Sequence, residues 1–119
     1  MEAMAKMPDN AYDLAIVDPP YAVGASDGRF GCRKKDKSYN TLKHYANKDK
    51  VPDSAYFNEM FRVSKNQIVW GYNYYPNHFN HGGCVVWDKI ADDNPILSDA
   101  EIAYQSINKM VKIARFQWI

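Results

Sequence analysis

A chain of 119 residues suits one small domain, and a hydrophobic share of 46% argues against disorder along its whole length. The 15 Lys and Arg against 14 Asp and Glu leave a formal net charge of +1, so overall charge announces neither a nucleic-acid nor a membrane partner. No apolar run reaches the ~20 residues that span a bilayer. Cys32 and Cys84 form no CxxC pair and the N-terminus has no long apolar leader, so the expected setting is the reducing cytoplasm.

Residues 1 to 7 have the character of a helix end, which Pro8-Asp9-Asn10 breaks. Leu14-Ala15-Ile16-Val17 is a short continuous apolar run stopped by Pro19-Pro20. It predicts a strand buried on both faces of a parallel sheet. Residues 22 to 50 show no periodicity and carry eight Lys and Arg (Arg29, Arg33, Lys34, Lys35, Lys37, Lys43, Lys48, Lys50) against three Asp. The rest of the chain is therefore net acidic, and this stretch is expected to be a basic loop, either functional or disordered.

From Asp53 to Val63, Tyr56, Phe57, Met60, Phe61 and Val63 recur at helical spacing and predict a helix. Gln67 to Gly71 predicts a second buried strand, followed by a loop to Gly83 with a short helix near Pro76 to Phe79. Cys84 to Asp88 predicts a third strand, and Ala91 to Leu97 a loop. Glu101 to Ser106 and Val111 to Trp118 predict two more strands, joined near Asn108-Lys109 as an antiparallel hairpin at the C-terminal edge. The fold class is α/β, with parallel strands first and the hairpin last.

Asp18-Pro19-Pro20-Tyr21 follows the first strand directly, at the carboxyl end where open α/β sheets bind ligands. Two prolines fix φ and remove two amide donors, which leaves carbonyls facing outward between an acid and an aromatic ring. Such a site suits a planar base with an exocyclic amine. The Asp18 carboxylate and the Pro19 carbonyl each accept one N–H, which turns the nitrogen lone pair out of conjugation and toward an electrophile. Tyr21 can stack on the base, which must first be extruded from duplex DNA. Stacking offsets part of that cost, about 1–3 kcal/mol per base. Taken alone, four residues also fit a strand-ending turn with a surface aspartate.

Longer blocks add to the tetrapeptide. Residues 7 to 21 read Met-Pro-Asp-Asn-Ala-Tyr-Asp-Leu-Ala-Ile-Val-Asp-Pro-Pro-Tyr, and 61 to 71 read Phe-Arg-Val-Ser-Lys-Asn-Gln-Ile-Val-Trp-Gly. Gly83 to Lys89 and Ser98 to Tyr104 follow in order. Together these blocks resemble the N-terminal, catalytic half of a DNA amino-methyltransferase of the type whose catalytic motif precedes its cofactor motif. The resemblance spans nearly the whole chain. It implies a partial Rossmann-like methyltransferase sheet, S-adenosylmethionine as methyl donor, double-stranded DNA as partner and a restriction–modification or phage setting. Asp18, Pro19, Pro20 and Tyr21 are the implied catalytic residues. Aspartate at the first position favours adenine N6 over cytosine N4.

No Phe-x-Gly-x-Gly or Gly-x-Gly-x-x-Gly string occurs. The family's glycine-rich donor loop is therefore expected beyond residue 119, with the chain a fragment that holds the acceptor side. The alternatives are a non-catalytic remnant that binds DNA or a partner, cytosine-N4 methylation, and, ranked lower, methylation of an amine in RNA or protein. An unfinished sheet edge would also favour self-association.

Among other residues, Lys34 and Lys35 are candidate phosphate contacts in a loop over the site, against the alternative of a solvated charged loop. His78 and His81, with no third ligand evident, fit a polar loop better than a metal site. Trp70 and Cys84 are expected in the core. Asn73 and Tyr74 are open between a base-pocket wall and plain surface, and Trp87-Asp88-Lys89 could face DNA.

Overall fold

The structure is a computed structural model and describes residues 2–21, 50–90 and 98–116. Its elements are α1 (Glu2–Ala5), β1 (Tyr12–Val17), α2 (Ser54–Val63), β2 (Ser64–Trp70), β3 (Gly83–Asp88), β4 (Ala100–Gln105) and β5 (Val111–Arg115), with a 3-10 turn at Tyr72–Tyr74. The class is α/β, as the sequence pattern implies. One five-stranded sheet has the order β1-β2-β4-β3-β5. β1 pairs with β2 in parallel and β3 with β5 in parallel, while β4 is antiparallel to both β2 and β3. Four strands thus share one direction and β4 alone runs back.

Helix α2 begins where Asp53 accepts a hydrogen bond from the Tyr56 amide at 3.0 Å, a side-chain cap for an otherwise unpaired N–H. Its apolar stripe, Phe57, Met60 and Val63, is buried. Phe57, fully buried, meets Val69, Tyr75 and Tyr104 in the core, with Ala15, Val17 and Phe79 against it. The helix passes straight into β2 at Ser64, whose backbone is already extended. The Ser64 hydroxyl donates to the Met60 carbonyl at 2.6 Å, and the Gln67 amide donates to the Ser64 carbonyl at 2.7 Å. A buried helix end therefore keeps its polar groups paired.

Two expectations about strands change. Among the described residues β1 is an edge strand: it pairs with β2 alone, and Ile16 is 62% exposed, so the expected burial on both faces is not seen there. The antiparallel partner of β4 at this edge is β3, not β5. β4 already pairs on both sides, so the chain passes the start of β3 and lays β5 along its far edge, with the Cys84 amide donating to the Met110 carbonyl at 3.1 Å. Gln105, buried, braces that crossing by donating to Asn108 Oδ1 at 2.8 Å and the Met110 carbonyl at 3.2 Å. Gly83 makes it possible, since a Cβ there would lie 2.6 Å from the Asn108 carbonyl oxygen.

The N-terminal segment is latched by Arg62. Its guanidinium donates to the Met4 carbonyl at 2.8 Å, the Met7 carbonyl at 2.9 Å and Asp9 at 2.8 Å, while Glu59 orients it at 2.8 and 2.9 Å. Among the described residues no helix is long and apolar enough to cross a membrane.

Candidate functional site

The strand directions gather one set of ends at one edge of the sheet. The carboxyl ends of β1, β2 and β3 deliver Asp18, Gly71 and Asp88 there, and the reversed β4 delivers its amino end, Ala100 and Glu101. Crevices at such ends are where open α/β sheets take ligands.

The Asp18-Pro19-Pro20-Tyr21 segment has no amide N–H at either proline, so its carbonyls depend on partners from elsewhere. Tyr75 supplies one. It is 2% exposed, and its single hydroxyl proton is shared between the Pro20 carbonyl at 2.5 Å and the Pro19 carbonyl at 3.0 Å. Packing against Phe57, with ring centroids 5.1 Å apart, fixes the tyrosine from the core side. The expected outward acceptor role of Pro19 is therefore narrowed: one lone pair of its carbonyl faces Tyr75, and only the other is left for a ligand.

Tyr21 also sits differently from the expectation of a free stacking surface. Its hydroxyl donates to Asp18 Oδ1, and its ring stacks on Tyr74 at 4.8 Å and 23°. Gly71, at φ +64°, turns the chain out of β2 directly beneath that ring, and any Cβ there would collide with it. The 3-10 turn that follows brings Asn73 and Tyr74 beside Tyr21 and places Tyr75 beneath the proline carbonyls.

A cavity of about 320 Å³ opens here, lined by Tyr21, Gly71, Asn73, Tyr74, Ser98, Ala100, Glu101 and Ile102. Tyr74, 48% exposed, forms its open aromatic side. The Ser98 hydroxyl donates to the Ala100 carbonyl at 2.6 Å, which shapes the approach to β4. Glu101 is held by the Lys89 ammonium at 2.5 Å, and that ammonium lies 5.6 Å from the centroid of Trp87, the register partner of Glu101. Partial burial raises the Asp18 carboxyl above its ordinary range, and the Glu101 charge raises it further.

Asn73 and Tyr74 thus join the site. Trp70 does not enter the core: it is half-buried and meets Trp87 edge-on at 6.3 Å. Cys84 is likewise half-buried. His78 stacks on Phe57 at 4.5 Å, and among the described residues no three His, Cys, Asp or Glu side chains converge on a metal position. The short helix expected near Pro76 is the 3-10 turn, four residues earlier. Lys34 and Lys35, with residues 22–49 as a whole, lie outside the described residues, as does the loop 91–97. Sequence reasoning missed Tyr75 and Glu101. Tyr75 carries no local signal, because its partners are 55 and 56 residues away. Glu101 lies within a block already singled out, and only its reversed strand reveals its place.

The chain matches no family model and no curated protein.

Proposed function

We propose that this chain forms the acceptor side of a DNA amino-methyltransferase acting on adenine N6. The observation that carries the reading is the clamped Asp18-Pro19-Pro20-Tyr21 segment at a strand's carboxyl end, beside an aromatic-walled cavity. Tyr21 holds Asp18 Oδ1, which leaves Oδ2 to accept one amine N–H. The free lone pair of the Pro19 carbonyl accepts the other, and the amine lone pair is turned outward for attack. Tyr74, stacked on Tyr21, presents the open aromatic face to an extruded base, so the platform is the pair and not Tyr21 alone.

S-adenosylmethionine is the methyl donor that the resemblance implies. The described residues do not fit it. The glycine turn at the end of β2 is covered by the Tyr21 ring and leads into a single 3-10 turn, so it offers no helix N-terminus with a bed of N–H groups. No step here depends on this chain holding the donor.

The test is transfer of a labelled methyl group to DNA by a longer protein containing this segment, with and without Asp18→Ala. Loss of transfer with donor affinity unchanged is expected. Measurable turnover in the variant defeats the assigned role. Calorimetry of the chain itself with S-adenosylmethionine separates the acceptor-side reading, which expects no heat, from a self-sufficient enzyme.

A further inference from the structure

We propose that Glu101 is a specificity-determining acceptor in this cavity: it selects a base edge that donates N–H over one that does not. The proposal rests on the acceptor-side reading of the same site and adds a residue and a selection rule to it.

Position comes first. Glu101 is the second residue of the one reversed strand, and the reversal is what carries a carboxylate to the same edge as Asp18. It lines the cavity together with Tyr21, Asn73 and Tyr74, so a ring resting on the aromatic wall has this carboxylate at its rim. Orientation comes second. Lys89 fixes Oε1 at 2.5 Å, and Oε2 has no hydrogen bond among the described residues. A glutamate tethered by one oxygen presents the other in a defined place. The same carboxylate is a counter-charge of Lys89, whose side chain is 13% exposed, and sets a second negative charge near Asp18.

The chemistry follows from the donor inventory. An ionised carboxylate only accepts, so it pairs with an amine N–H and has nothing to give a ring edge that lacks one. Asp18 and the Pro19 carbonyl are the groups assigned to the reacting amine. Glu101 adds a third acceptor, and among the described residues that line the cavity the exposed amide of Asn73 is the side-chain N–H donor. A carboxylate at this rim favours a base edge that carries an exocyclic amine, as adenine and cytosine do, over an edge without one.

The test uses the full chain and two single-stranded oligonucleotides that differ at one position, adenine in one and unsubstituted purine in the other. The ring is the same and only the amine is removed. Binding is followed by fluorescence anisotropy at fixed salt. Wild type is expected to prefer the adenine strand at least tenfold, and Glu101→Gln to narrow that preference by about tenfold. Glu101→Asp keeps the charge but withdraws the oxygen, and it should narrow the preference similarly. It also carries the test if circular dichroism shows the glutamine variant unfolded. If wild type prefers adenine and both variants keep that preference, the role of Glu101 is overturned while the acceptor-side reading stands. If wild type binds both strands equally, or neither, the reading falls and the proposal falls with it.

Discussion

Replacing Tyr75 with phenylalanine removes one oxygen from the most constrained part of the site. The ring stays, so its contacts with Phe57 and Tyr21 are retained and no cavity opens. What goes is the donor to the Pro19 and Pro20 carbonyls. Pro20 is exposed and water can reach its carbonyl, but Pro19 is buried and less readily hydrated. An intramolecular hydrogen bond contributes about 1 kcal/mol net, and a buried acceptor left unpaired costs about 1–3 kcal/mol. Tyr75→Phe should therefore destabilise the fold by about 1–3 kcal/mol, lowering the melting temperature by roughly 4 °C per kcal/mol.

Urea unfolding followed by circular dichroism measures this directly. Tyr74→Phe is the internal control, since that ring is exposed and its hydroxyl is not part of the clamp. It should stay within about 0.5 kcal/mol of wild type. If Tyr75→Phe also stays within about 0.5 kcal/mol, the phenol does not hold the proline carbonyls.

Asp18 gives a pH-dependent prediction. Its carboxyl is raised by burial and by Glu101, so the folded state holds this proton more firmly than the unfolded chain does. The resulting stability is present below the ordinary carboxylate range and is lost as pH rises through the folded-state value. Asp18→Asn, which does not ionise, should melt higher than wild type at about pH 7, and the gap should close as the pH falls to about 3. A wild type that is the more stable protein at neutral pH would refute the environment assigned to Asp18. Ile16→Lys probes the open edge of β1, where Tyr12, Leu14 and Ile16 are exposed and no internal Lys or Pro guards the strand. Sedimentation should show concentration-dependent association in wild type and its loss in the variant, and a strictly monomeric wild type counts against the idea. Phe57→Ala removes the fully buried centre of the core and should cost about 3–5 kcal/mol in the same urea experiment. A cost below about 1 kcal/mol would place the core elsewhere.

Local pattern made the elements readable. The helical spacing of Phe57, Met60 and Val63 marks α2, and Asp53 marks its start, because both signals lie within a few residues of what they determine. Pairing was less accessible. Apolar continuity shows that Leu14 to Val17 is a strand, but the same run fits an edge or a centre, and only the partners decide. The β4–β5 expectation failed for a related reason. Adjacency in sequence suggests a hairpin, while the Gly83 gap and the Gln105 brace, which route β5 past β3, are properties of the assembled sheet. At the site, the acid, its prolines and Tyr21 stand side by side in the sequence, whereas the phenol that holds the proline carbonyls, Tyr75, comes from beyond the end of β2.

That division explains why one reversed strand matters to the chemistry. In an all-parallel sheet the site edge receives only carboxyl ends, and each must turn away into a loop. β4 instead enters the edge with its amino end and runs back between β2 and β3, so Ala100, Glu101 and Ile102 arrive as a rigid wall and not as a loop. The acid of β1 then faces a carboxylate set by backbone pairing, with Trp87 opposite Glu101 and Lys89 at its tip. That wall lies across the cavity from the aromatic side, Tyr21 on Tyr74 above Gly71. Gly71 lets Tyr21 pack close, and the ring is held there by Tyr74, by Tyr75 and by its hydroxyl on Asp18. A ligand amine that takes Asp18 Oδ2 leaves that hydroxyl on Oδ1, so the acid can be occupied while the tyrosine stays in place.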